Sequence, residues 1–130
     1  MDAAIYEDVN IIGAVIVMRN VEGSLIACCS KVMEGMFSSR EVEALCLREA
    51  IRWVISQQYV SVIFETDSKL VVNAINNSSA DLSKFGLLIQ ECKLLLSSSK
   101  NFLCSFVNRQ AHVVSHSLAR VACSYTSLNV

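Results

Sequence analysis

At 130 residues, 53% of them hydrophobic, the chain is sized for one domain with a substantial core and is too apolar for a disordered one. Its net charge is −1, with Lys and Arg scattered from Arg19 to Arg120. The basic block or stripe of a strong autonomous nucleic-acid binder is missing, so any such binding should be weak, or depend on a metal or a partner.

Asp2 to Tyr6 reads as the stub of a first strand, with Glu7 to Asn10 as its turn. Ile11 to Arg19 is β-branched and apolar, Asn20-Val21-Glu22-Gly23 is a short loop, and Leu25 to Val32 is apolar again. Two such runs around a Gly-containing loop predict a hairpin, and with the stub they make an antiparallel meander. Ser38-Ser39-Arg40-Glu41 is a helix start, with Ser38 or Ser39 as cap and acids in the first turn, and the helix should run to about Gln57. At about 100° per residue, Cys46, Leu47, Ala50 and Val54 fall within one apolar-stripe width of Glu43. A carboxylate on or beside a buried stripe needs a cation, a metal or the helix's own amino end, because burying an unpaired charge is costly. The plainer account is a first-turn acid favoured by the helix dipole.

Val60 to Phe64 is an apolar run that ends in Glu65-Thr66-Asp67-Ser68, where a helical pattern begins and runs to about Asn77. A strand there would deliver Asp67 to the mouth of a sheet, the place where open α/β sheets bind ligands. Asp67 or Ser68 could equally be a plain N-cap. Asn76 to Asp81 is a loop, Leu82 to Leu96 carries a helical stripe, and Ser97 to Asn101 breaks it. Phe102 to Val107 predicts a last strand and Ala111 to about Ser124 a last helix, with Leu118, Ala119, Ala122 and Cys123 facing inward. The order implies an α/β fold: a mixed five-stranded sheet, a meander followed by alternating helices and strands, flanked by helices.

The six cysteines show no Cys-x-x-Cys and no metal-ligand spacing, and their apolar contexts suit buried free thiols in a reducing compartment. Three disulfides would be possible if the chain were secreted. The Met1-Asp2-Ala3-Ala4 opening is no signal peptide, and the longest apolar run, Ile11 to Met18, is too short to span a bilayer. A soluble intracellular protein of cytoplasm or nucleus is expected, with no membrane partner, either a monomer or part of a longer polypeptide.

Asp2, Glu43 and Asp67 lie on different elements. A mixed sheet with the first strand central and the strand of Asp67 parallel beside it would bring all three to one rim. Clustered carboxylates raise one another's pKa values unless a divalent cation sits among them. Oxygen donors without thiolate or paired imidazole favour Mg²⁺ or Mn²⁺ over zinc.

Element order and motifs here resemble the ribonuclease H fold, and most closely the reverse-transcriptase-derived, RNase H-like domain common in plant genomes. Asp2-Ala3-Ala4 matches that family's Asp-Gly-Ala strand, and Gly13 to Gly23 its second strand and turn. Ser39-Arg40-Glu41-Val42-Glu43-Ala44-Leu45 is similar to its Ala-Glu-Ala helix, and Phe64-Glu65-Thr66-Asp67-Ser68 to its Glu-Ser-Asp-Ser. Val107 to His112 and His116-Ser117-Leu118-Ala119 are similar to its ending. The resemblance covers almost the whole chain, as a single domain of residues 1–130 cut short at the start of its first strand. It implies Asp2, Glu43, Asp67 and His116 as catalytic and metal-binding residues. The implied reaction is hydrolysis of the RNA strand of an RNA–DNA hybrid by two Mg²⁺ or Mn²⁺ ions, one generating the attacking hydroxide and one stabilising the leaving oxygen.

Several residues depart from that pattern. His116 stands where cellular ribonucleases H carry a fourth carboxylate, and a neutral imidazole offers one nitrogen and no charge. Phe106 stands where active relatives keep a mobile His, Asn108 replaces Pro, and His112 replaces Asn. His112 and His116 share the i, i+4 spacing of helical zinc ligands, yet no third ligand is evident. Two readings follow: a weak, metal-dependent hybrid nuclease, or an inactive relic that binds nucleic acid or protein through the same surface.

Overall fold

The computed structural model describes residues 10–20, 22–59, 61–77, 81–107 and 119–129. Strands β1 (Asn10–Arg19) and β2 (Leu25–Gly35) form the predicted hairpin. Its turn is built by Asn20, whose Oδ1 accepts from the backbone N–H groups of Glu22 and Ser24 at 3.0 and 2.9 Å. Gly23 takes the left-handed φ of 86° that the return demands. The register passes from Met18↔Ala27 to Arg19↔Leu25, so Ile26 is an extra residue and β2 is bulged at its start.

Helix α1 (Ser39–Ser56) starts at the predicted capping box: Glu41 N–H donates to Ser38 Oγ, and the Glu41 carboxylate accepts from Ser38 N–H at 2.8 Å. Strand β3 (Val62–Thr66), helix α2 (Lys69–Asn76), helix α3 (Lys84–Leu96) and strand β4 (Phe102–Phe106) follow close to their expected bounds. Gly86 in α3 is required by packing, since a Cβ there would run into the backbone of Asp81.

The last element differs from expectation. Ala119–Asn129 is a strand, β5, where the sequence stripe predicts a helix to about Ser124. Leu118, Ala119, Ala122 and Cys123 fit a helical face, but Val121 is buried and Ala122 exposed, the alternation of a strand. Pairing decides the conflict: β5 runs antiparallel to β1 from Arg19↔Arg120 to Asn10↔Asn129 and parallel to β3 from Val62↔Ala119 to Glu65↔Ala122. Two satisfied edges outweigh a short local preference.

The sheet order is β2-β1-β5-β3-β4, with β3 and β4 parallel. Five strands of mixed direction with three helices confirm the α/β reading. The slot beside β3 that the sequence analysis gives to the strand of Asp2 is held, among the described residues, by β5. The Asp2 to Tyr6 stub lies outside the described residues.

One face of the sheet carries the core. Ile12, Ala14, Ile16 and Met18 of β1, Val62 and Phe64 of β3, Phe102 of β4 and Val121 of β5 are buried. Ile16, Met18 and the residues of β3, β4 and β5 meet Leu45, Leu47, Ile51 and Val54 of α1, Val71 of α2, and Phe85, Ile89 and Cys92 of α3, while Ile12 and Ala14 pack with Val42 and Cys46 of α1. Phe64 and Phe102 pack edge to face with centroids 5.5 Å apart. Beside this core an ionic clasp joins β2, α1 and α3. Glu49 takes Lys31 at 3.5 Å and both Arg48 and Arg52 at 3.2 Å, while the two arginines also reach Glu91.

The thiols divide by face. Cys46 and Cys92 are buried as expected, whereas Cys28 is exposed on the outer face of β2. Cys28, Cys29, Cys46, Cys92 and Cys104 are all free. Among the described residues no helix is long and apolar enough to cross a membrane.

Candidate functional site

The capping box settles one open question about α1. Glu41 is the first-turn acid and reaches back to the cap, so Glu43, two residues further on, has no part in capping. Val42, Ala44, Leu45, Cys46 and Leu47 are buried around it, and Glu43 itself is half-buried. Among the described residues Glu43 has no hydrogen-bond or ion-pair partner. A half-buried carboxylate in that position is expensive for the fold.

Glu43 forms one wall of a cleft of about 20 Å³, together with Cys46, Leu47, Glu65, Thr66 and Val121. That volume accepts about one water-sized group. Glu65 and Thr66 are the last residues of β3, so the cleft opens at the carboxyl end of that strand. Val121 brings β5 to the cleft, and the segment Ala119–Asn129 contains no Asp or Glu.

The turn after β3 settles a second question. Ser68, and not Asp67, is the N-cap of α2: its Oγ accepts from Val71 N–H at 3.2 Å, and it is the buried polar residue of this turn, 6% exposed. Thr66 Oγ1 accepts from Ser68 N–H at 3.1 Å, which tightens the strand-to-helix transition. Asp67 sits between these two hydroxyl residues and is exposed at the strand's end. Val107 N–H donates to Thr66 O at 2.8 Å and carries the β3–β4 ladder one residue further.

Phe106 is the ladder partner of Thr66 and stands at the same rim, 37% exposed. Lys69, the first residue of α2, holds its Nζ 5.2 Å from the Phe106 ring centroid.

Glu43 and Asp67 therefore lie at one end of β3, with Glu43 on the cleft wall and Asp67 next in sequence to another wall residue. Asp2 and His116 lie outside the described residues, as do Asn108 and His112. Among the described residues no group of three His, Cys, Asp or Glu side chains is placed to hold a metal ion. The wall residues Glu65 and Thr66 and the cation Lys69 carry no role in the sequence reading. Their signal was positional only: each lies within two residues of Asp67.

The reverse transcriptase-like family model matches residues 1–122. Among curated proteins none matches this chain. Of the solved structures, it is similar to the crystal structure of RNase H1 from the halophilic archaeon Halobacterium salinarum NRC-1, with a TM-score of 0.65, 17% identity and 74% of each chain covered. At that identity the likeness shows the fold alone, an RNase H-like sheet with its helices.

Proposed function

The chain belongs to the reverse transcriptase-like family, and from that membership we propose a metal-dependent hydrolase of the RNA strand of RNA–DNA hybrids, working at the carboxyl end of β3. The observation that carries the reading is Glu43: a half-buried carboxylate with no partner among the described residues, on the wall of a cleft one residue from Asp67. A fold keeps such a group when the group serves something other than the fold.

The donor chemistry fits a hard dication. Glu43 and Asp67 offer carboxylate oxygens, Asp2 would add a third and His116 a ring nitrogen, and the described wall contains no thiolate-rich set that would select zinc. Mg²⁺ or Mn²⁺ bound there would supply positive charge to the scissile phosphate and acidify a bound water. The chain's own share is positioning. The Ser68 cap and the Thr66 hydroxyl fix the backbone on either side of Asp67, and the packed run from Ala44 to Leu47 holds the helix that carries Glu43. The carboxylates would also keep the phosphate from entering without a cation. Phe106 offers no group that could accept or donate a proton.

A second reading, a non-catalytic module that binds nucleic acid or protein, is favoured by β5. The strand nearest the cleft on that side brings Val121 and no acid.

Titration of Mg²⁺ and Mn²⁺ in a hybrid cleavage assay separates the two. The nuclease reading expects cleavage that rises with either ion and stops with EDTA. Hybrid binding without cleavage at any ion concentration selects the binding module.

A further inference from the structure

Phe106 and Lys69 make a composite surface at the rim that phosphodiester hydrolysis leaves unused. The ring lies at the end of the parallel β3–β4 pair, level with Thr66, and is 37% exposed. Phe102, two residues behind Cys104 on the same strand, is buried, so β4 delivers its aromatic side chains first into the core and then out at the rim. Lys69 is exposed, with its ammonium 5.2 Å from the ring centroid. An exposed aromatic ring paired with a cation is a combination that holds single-stranded nucleic acid. The ammonium lies over the ring face, and a base of any identity stacking there would take its place and leave the ammonium to meet the adjoining phosphate.

We propose that Phe106 is a stacking platform for an unpaired nucleotide and Lys69 its phosphate contact, so that the protein selects hybrids carrying a single-stranded overhang over blunt ones. The inference rests on the nucleic-acid reading above and deepens it. Inside a duplex both faces of every base are covered by neighbours, so a ring fixed at the end of a strand is usable only where a base is unstacked. Such bases occur at ends, gaps and overhangs. The neighbouring carboxylates Glu43 and Asp67 would then lie next to the last paired nucleotides, where the duplex begins.

The test is equilibrium binding of the full chain by fluorescence anisotropy, at low salt in Ca²⁺, a hard dication that carboxylate oxygens accept, with the probes checked by gel to be uncut. The probes are a blunt RNA–DNA hybrid, the same hybrid with a short single-stranded overhang, and that overhang with its bases replaced by abasic sites. The overhang is expected to tighten binding about tenfold, and the abasic version to return it to the blunt value. Phe106→Ala removes the overhang advantage while leaving blunt binding as it is, at some loss of melting temperature because the ring is only 37% exposed, and Phe106→Trp keeps the advantage. Lys69→Gln lowers the salt slope of overhang binding by about one. Equal binding of blunt and overhang hybrids by the wild type, or an advantage that survives Phe106→Ala, overturns the platform and leaves the hybrid nuclease standing. No binding to any probe, together with no cleavage in Mg²⁺ or Mn²⁺, removes the nucleic-acid reading and the platform with it.

Discussion

Glu43 and Glu49 sit on the same helix and meet opposite fates. Glu49, with 13% of its side chain exposed, is held by Lys31, Arg48 and Arg52, and the arginines are tied in turn to Glu91 on α3. Glu43, nearer the start of α1, faces the cleft at β3 with no partner among the described residues. Where a carboxylate serves the fold, three cations from two elements converge on it. Where it has none, the fold bears the cost, and function is the physical reason to look for. The flank around Glu49 therefore serves the fold, and the rim around Glu43 is where the proposed chemistry would sit.

The largest effect that could break this comparison comes from Glu43→Gln. The amide keeps the shape and removes the charge, so hybrid cleavage in Mg²⁺ should fall by at least about a hundredfold. The melting temperature should stay the same or rise, since a half-buried unpaired charge is gone. A variant that cleaves normally but melts lower would move Glu43 to the structural side.

On the flank, Cys92 gives the comparison a pH signature. Burial, then the nearby Cys104 thiol, pushes the Cys92 thiol up to about 12 from an ordinary 9.0. Its Sγ also donates to Ala44 O at 3.6 Å. The folded state thus prefers the protonated thiol more than the unfolded chain does. That preference contributes fully below pH about 9 and is lost as pH rises toward about 12. Stability should decline across this window by up to about 1.4 kcal/mol per pH unit from this thiol. Cys92→Ala should flatten the slope in melts taken from pH about 8 to 11, and an unchanged slope would assign the decline to other groups.

Glu49→Gln sharpens the same contrast from its structural side. Lys31 loses its partner and both arginines lose one of two, at a cost of about 1–2 kcal/mol after allowance for their partial exposure. The melting point should drop by about 4–7 °C. Hybrid cleavage measured well below that temperature should be unaffected, and a parallel loss of activity would mean that the flank and the rim are not separate.

Local chemistry was readable from the chain. Ser38 with Glu41 announced the start of α1, and the turn residues announced the hairpin, because caps and turns are decided within a few residues. Three things were not readable, each for want of a non-local fact. Asp67 and Ser68 are both good caps, and only the geometry shows Ser68 bonded to Val71 N–H. The helical stripe set Glu43 apart from Glu49, but that Glu49 would be held by cations was not readable, since one of them, Lys31, lies 18 residues away on β2. The 119–129 segment suits a helix as well as a strand until β1 and β3 are both present to pair with it. Of the proposed ligands, Glu43 lines the cleft at the end of β3 and Asp67 follows that strand, while Asp2 and His116 lie outside the described residues.

The smallest effect separates position from stability. Ser68 and Ser83 are equivalent caps: Ser68 Oγ accepts from Val71 N–H at 3.2 Å at the start of α2, and Ser83 Oγ from Gly86 N–H at 3.1 Å at the start of α3. Removing either hydroxyl should cost about 1 kcal/mol, because one amide of the first turn loses its acceptor. Ser68, however, directly follows Asp67 and is buried, so its loss also frees the turn that aims that carboxylate. Ligand geometry must hold to about 0.5 Å. Ser68→Ala should therefore reduce hybrid cleavage severalfold, whereas Ser83→Ala should leave cleavage unchanged at the same loss of stability. Ser68→Thr, which can still cap without adding a buried charge, should recover most of the melting temperature. Equal losses of cleavage in the two alanine variants would show that activity merely follows stability, and the turn after β3 would then hold no special position in the site.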